Sequence, residues 1–136
     1  MNSTSEPHLV TDPALAEILA QLIRREPIFH RPEFGTTRAD FENMTTSHYW
    51  EVGASGRRYS RTYVLDMLEQ RFHQDQSGDI WETSDFYCKR LAEDVYLLTY
   101  TLVQYTTRRT RRTTIWQQTI EGWKIVYHQG TIVEEA

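Results

Sequence analysis

The stretch Arg111-Arg-Thr-Thr-Ile-Trp-Gln-Gln-Thr-Ile120-Glu-Gly-Trp-Lys-Ile-Val-Tyr-His-Gln-Gly-Thr131 decides the fold. Two β-rich runs flank Glu121-Gly122, a two-residue turn of the kind that closes a hairpin. With that turn, Ile120 faces Trp123, Gln118 faces Ile125, Trp116 faces Tyr127, Thr114 faces Gln129 and Arg112 faces Thr131. One face then carries Trp116, Trp123, Ile125 and Tyr127, and becomes polar at Gln129 and Arg112. The other carries Thr113, Ile115, Gln117, Thr119, Lys124, Val126 and His128. Side chains alternate with a period of two, so a slip of one residue exchanges the faces.

Upstream, Val95 to Thr107 reads as a long strand that turns at Arg108-Arg109 into this hairpin. Tyr105 then pairs with Arg112, Val103 with Thr114 and Thr101 with Trp116. Tyr96, Leu98, Tyr100, Leu102 and Gln104 occupy the opposite face. Both faces are apolar, so both need covering, and a helical layer covers only one. At about 25 cal/mol per Å² of apolar area, leaving three or four such side chains in water forgoes several kcal/mol. An exposed patch of this kind marks an interface. The expectation is a homodimer, sheet against sheet, through Leu98, Tyr100, Leu102, Ile115 and Val126.

Before that strand, Ile80 to Leu91 alternates and Ala92-Glu93-Asp94 forms a hinge. The first half of the chain is helical in pattern. Asp12 and Pro13 start a helix whose apolar stripe is Leu15, Ile18, Leu19, Leu22 and Ile23. Thr37-Arg-Ala-Asp40 is an acidic form of the capping box and opens a second helix with Phe41 and Met44 inward. Tyr49 to Gly53 is a short strand and Ala54 to Arg57 a turn. Ser60 caps a third helix that buries Val64, Leu65, Leu68 and Phe72, and a polar loop runs from His73 to Asp79. Helices first and strands later imply an α+β fold with an antiparallel sheet. Residues 1–11 are polar and read as a disordered tail, followed by one domain over 12–136.

The chain has 136 residues, of which 39% are hydrophobic, enough for a single core. A formal charge of −4 argues against a general nucleic-acid binder. The one cysteine, Cys88, excludes an internal disulfide and reads as a small core residue. No apolar run approaches the roughly 18 residues of a membrane span, and the N-terminus has no signal-peptide pattern, so the expected compartment is the cytoplasm.

Three stretches together resemble one known family: the late strand with Trp116 followed by Gly122 to Thr131, Phe29-His-Arg-Pro-Glu-Phe-Gly-Thr36, and Tyr49-Trp-Glu-Val-Gly-Ala-Ser-Gly-Arg57. The pattern, from about Leu15 to Ile132, is similar to the nuclear transport factor 2-like superfamily, and within it to the small polyketide-cyclase-like (SnoaL-like) domains. The resemblance implies a cone: a curved antiparallel sheet wrapped around the N-terminal helices, with a pocket inside. Trp50, Tyr105, Arg112, Trp116, Tyr127 and Gln129 are placed toward that pocket, with Tyr59 and Tyr63 near its rim. Aromatic walls with a few polar groups suit a small-molecule site, and the planar fork of Arg112 suits a carboxylate, phosphate or enolate oxygen. Such aromatic residues also serve as plain core, so a filled interior is the alternative.

The superfamily hosts enzymes, binding modules and subunits without chemistry, so the fold does not choose among them. Its isomerases, cyclases and dehydratases place an Asp, Glu or His inside the cone; ketosteroid isomerase combines an Asp base with a tyrosine and a protonated Asp. In the register above no carboxylate lies on the inward face of the late strands. Glu51 alternates away from Trp50, His128 falls on the convex side, and His30 sits at the cone mouth. These three are the candidate bases, and no acid–base pair is forced by spacing. The five histidines lack metal-ligand spacing, and no phosphate-binding glycine loop is present. Arg108-Arg109-Thr-Arg111-Arg112 reads as a hairpin tip whose charges divide between faces. The leading function is a small-molecule-binding domain. A cofactor-free isomerase, cyclase or dehydratase is the alternative, and a protein-interaction or accessory module a third.

Overall fold

The structure, a computed structural model, describes residues 5–71 and 80–134. Phe72 and the His73 to Asp79 loop lie outside the described residues. Asp12 accepts a hydrogen bond from the Ala14 N–H at 2.9 Å, and the 3₁₀ turn Pro13–Leu15 runs into α1, Ala16–Ile23. Leu22 is fully buried, with Leu15, Ile18 and Leu19 packed on the core. In α2, Arg38–Met44, the Thr37–Asp40 capping box is complete and Phe41 is buried. Then come β1, Thr45–Val52, and β2, Arg58–Ser60, and the Ser60 hydroxyl accepts from the Tyr63 N–H at 3.1 Å to start α3, Arg61–Arg71. Val64, Leu65 and Leu68 of α3 face inward. Four long strands follow: β3, Trp81–Ala92; β4, Val95–Gln104; β5, Arg108–Thr119; and β6, Gly122–Ile132.

The six strands form one curved sheet in the order β2-β1-β6-β5-β4-β3, with the helices on its concave side. The sheet is mixed, because β1 runs parallel to β6. No hairpin links these two strands, so turn geometry does not force them antiparallel. No helix among the described residues is long and apolar enough to cross a membrane.

Two local features move side chains to faces other than those the sequence suggests. The β5–β6 turn is Ile120-Glu121, with Thr119 opposite Gly122, one residue earlier than Glu121-Gly122. Thr119 closes it from both sides: its hydroxyl donates to the Gly122 carbonyl at 2.7 Å and accepts from the Glu121 N–H at 3.1 Å. Trp116 then pairs with Ile125, but Ile115 pairs with Tyr127, leaving Val126 as an extra residue. This bulge exchanges the faces beyond it. Tyr127 and Gln129 turn outward, and His128 turns inward.

The second feature is the β4–β5 turn, which is Tyr105-Thr106-Thr107 rather than Arg108-Arg109. Tyr105 and Thr106 adopt left-handed backbone (φ 52° and 63°), and Gln104 pairs with Arg108. Tyr96, Leu98, Tyr100 and Leu102 therefore share the inner face with Trp116, Thr114, Arg112 and Thr110. Leu98, Tyr100 and Leu102, expected at a dimer surface, are buried in the core of a single chain instead. The outer face keeps a partly exposed apolar row across four strands: Leu97, Ile115, Tyr127 and Trp50.

Deleting Val126 is expected to leave the faces in place and to change stability by no more than about 1 kcal/mol, because without the extra residue a regular ladder alternates Ile125 in, Tyr127 out and His128 in. Urea unfolding checks this. A loss above about 4 kcal/mol, the size of a disrupted core, would show that Val126 is not the extra residue that sets the faces.

Candidate functional site

The register gathers chemistry on the concave face. Glu51 of β1 lies beside His128 of β6, and His128 lies opposite Thr114 of β5. Two residues along, Arg112 lies opposite Gly130. Facing these groups are α3 and the segment Ile28-Phe29-His30. Between them is a cavity of about 460 Å³. Glu51, Arg112 and His128 line its sheet side, Arg71 and Gln70 join from the end of α3, and His30 closes another side. The remaining wall is apolar: Ile28, Phe29, Val64, Met67 and Leu68. Tyr59 and Tyr63 also line it, their rings stacked at 5.0 Å. That mixture of apolar wall and few converging polar groups is what holds a small organic molecule.

Arg112 is the cation that the sheet contributes to this arrangement. Its Nε donates to the Thr110 hydroxyl at 2.9 Å, and Nη1 lies 3.5 Å from His128 Nε2. A side chain on the facing strand would occupy its place: a Cβ at Gly130 would stand 2.7 Å from Nη1. Glycine there is a notch for the guanidinium. Burial lowers the Arg112 pKa, yet a guanidinium stays charged in proteins. Among the described residues no carboxylate forms an ion pair with it. Across the cavity wall, two guanidiniums (Arg71 and Arg112) face one carboxylate, Glu51.

Glu51 accepts a hydrogen bond from the Tyr49 hydroxyl at 2.5 Å. Burial raises its pKa, opposed by that bond and by the fields of Arg112 and Arg71. Burial and the neighbouring Glu51 push the Tyr49 phenol well above its ordinary value, so it remains a donor. His128 is buried, and its pKa is pushed down to about 3 by burial first, then by Arg112 and His30. Its Nδ1 lies 2.8 Å from the Thr114 hydroxyl. Behind Thr114 is Glu26, fully buried, which accepts from the Tyr100 hydroxyl at 2.6 Å, Trp116 Nε1 at 3.1 Å and the Ile28 N–H at 3.2 Å. Burial raises the Glu26 pKa, and hydrogen bonds from Tyr100, Thr114 and Trp116 oppose the rise.

The three candidate bases, His30, Glu51 and His128, all line the cavity, although alternation had put Glu51 and His128 on other faces. Of the expected ligand-binding residues, Arg112 and Tyr59 line it as well. Trp116 does not. It is core, holding Glu26, and borders only a hollow of about 20 Å³, room for one water. Trp50, Tyr127 and Gln129 lie outside: the Trp50 and Tyr127 rings meet at 4.7 Å, and the Tyr127 hydroxyl donates to Gln129. Tyr105 sits in the β4–β5 turn, 56% exposed. The basic cluster divides as alternation requires, with Arg111 outward against Glu6 at 3.0 Å and Asp85 at 3.6 Å.

Glu26, Arg71 and Gly130 are the members sequence reasoning missed. Glu26 follows Leu22 by four residues, which continues the buried stripe of α1. Arg71 follows Val64 and Leu68 by seven and three, on the inward face of α3. Those spacings are the signals that point to them.

No protein-family model matches the chain, and no curated protein matches it in sequence. Solved structures do match. A nuclear transport factor 2-like protein from Cytophaga hutchinsonii superposes with a TM-score of 0.61 at 13% identity, covering 98% of this chain and 100% of that one. A nuclear transport factor 2-like protein of unknown function in nutrient uptake from Rhodospirillum rubrum gives 0.60 at 18% identity, covering 90% and 99%. A proposed ketosteroid isomerase from Parabacteroides distasonis gives 0.63 at 14% identity, covering 91% and 95%. The chain has the nuclear transport factor 2-like, cystatin-like α+β fold.

Proposed function

We propose that this chain binds a small organic molecule in the cavity beneath α3, and that the molecule carries an oxyanion read by Arg112. The observation that carries this reading is a half-buried guanidinium on the cavity wall that forms no ion pair with a carboxylate among the described residues. A partly dehydrated cation without an ion pair is costly, and a ligand anion lowers that cost. Of the five N–H groups of an arginine, one meets Thr110 and one faces His128, so three remain for a carboxylate or enolate. The apolar wall and the stacked Tyr59–Tyr63 pair suit a flat hydrocarbon body.

A matched pair of probes tests this by isothermal titration calorimetry at pH 7: 2-naphthoate and its uncharged counterpart 2-naphthamide. The carboxylate is expected to bind about tenfold tighter or more, the range of a charge-assisted hydrogen bond. Equal affinities, or no heat from either, would overturn the oxyanion reading.

Glu51 supports a second reading, a cofactor-free isomerase or dehydratase. A carboxylate whose pKa is raised by burial suits proton transfer near neutrality. Glu51 would take a proton from carbon α to a carbonyl, Arg112 would hold the enolate oxygen, and Glu51 would return the proton to another position. The resemblance in fold to a proposed ketosteroid isomerase agrees with that chemistry and does not establish it.

A further inference from the structure

We propose that Glu26 and Thr114, which do not touch the cavity, are positioning residues that fix His128 as its Nδ1–H tautomer and so hold the Arg112 guanidinium in the Gly130 notch. This rests on the reading of Arg112 as the ligand-binding group. The protons along one chain of contacts can run in one direction only. Arginine only donates, so the Arg112 Nη1 that faces His128 Nε2 at 3.5 Å requires a lone pair on Nε2. A neutral imidazole then carries its proton on Nδ1 and donates it to the Thr114 oxygen at 2.8 Å. That leaves the single Thr114 hydroxyl proton to be directed at Glu26, whose pKa the Thr114 hydroxyl lowers.

The opposite direction fails at the end of the chain. A proton on Nε2 would face an Arg112 N–H, donor against donor. Glu26 is the terminal acceptor that makes the favourable direction possible, and it is rigidly held. Tyr100 and Trp116 fix it from β4 and β5, and the Ile28 N–H from its own segment. The depressed pKa of His128 agrees, because a neutral ring is the form this chain needs. The register supplies the geometry: Thr114 opposite His128, and Arg112 opposite Gly130, adjacent pairs on one face.

Long-range ¹H–¹⁵N NMR of the whole protein at pH 7 reads the tautomer without any ligand. The His128 signals are assigned by their loss in His128→Gln. A protonated Nδ1 with a bare Nε2 is expected; a protonated Nε2 overturns the proposal. Thr114→Val removes the oxygen that accepts from Nδ1. It is expected to shift His128 toward the Nε2–H form and to weaken 2-naphthoate binding about tenfold, with Thr114→Ser restoring both. Unchanged tautomer and affinity in Thr114→Val would also overturn it. If that variant does not fold, Glu26→Gln with the same two readouts takes its place, expected to weaken binding in the same direction. The expected tautomer without any 2-naphthoate binding would sink the binding reading alone. Tight 2-naphthoate binding with an Nε2–H ring would sink the positioning proposal alone.

Discussion

Arg112→Leu is expected to weaken 2-naphthoate binding about 30-fold or more while raising the thermal midpoint of the unliganded protein. The first effect follows from the loss of a charge-assisted hydrogen bond, about 2 kcal/mol at a partly dehydrated site. The second follows from the same burial that makes Arg112 useful. Its cation is partly taken out of water without an ion pair among the described residues, and replacing such a charge with an apolar side chain is expected to stabilise by up to about 1 kcal/mol. The Gly130 notch and the cavity leave room for the leucine. Thr110 keeps a partner, since its hydroxyl reaches the Leu102 carbonyl at 3.4 Å. A binding residue that costs stability is the signature expected of a site rather than of a core. Affinity within threefold of the parent would remove Arg112 from the site. A midpoint that falls sharply would show that the cation is compensated and structural.

His128 is expected to make the fold sensitive to acid. Its pKa is about 3 in the folded chain against 6.5 for a free imidazole. Between those values the unfolded chain binds a proton that the folded chain refuses. His128 therefore adds nothing unfavourable above pH 6.5, and stability falls as the pH drops below it, by up to about 1.4 kcal/mol per unit. Glu26 and Glu51 work in the other direction. Both are raised by burial, so the folded chain keeps their protons above the unfolded value of 4.5, and stability falls as pH rises through that range. Comparison with His128→Gln cancels the two glutamates. From pH 6.5 to 4 the parent should lose on the order of 3 kcal/mol more than the variant, measured by urea unfolding at several pH values. Parallel stability curves would mean that His128 takes up a proton in the folded state and is not sealed from water.

Local chemistry was legible in the sequence wherever one residue type does one job. Asp12 with Pro13, Thr37 with Asp40, and Ser60 each start their elements as their side chains dictate. The family resemblance carried the overall fold. What could not be read was register. Val126 is an ordinary strand residue, and nothing about it announces a bulge, yet it decides whether Tyr127 or His128 enters the cavity. The β4–β5 turn places Tyr105 and Thr106 in left-handed backbone that usually selects Gly, Asn or Asp, so composition points past it. An odd error in that turn interchanged the core with the expected dimer face. His30, Glu51 and Arg112 could be named because histidines, acids and arginines near aromatic residues are few. Their convergence depends on strand pairing between β1 and β6, distant in sequence and joined by no hairpin.

The most direct test is a crystal structure of the protein grown with 2-naphthoate. The carboxylate is expected in the cavity beneath α3, within hydrogen-bond distance of the Arg112 guanidinium, with the rings against Val64, Leu68 and the Tyr59–Tyr63 pair. A cavity filled only by ordered water, or 2-naphthoate bound elsewhere with Arg112 untouched, would contradict the assignment of this cavity as an oxyanion-binding site.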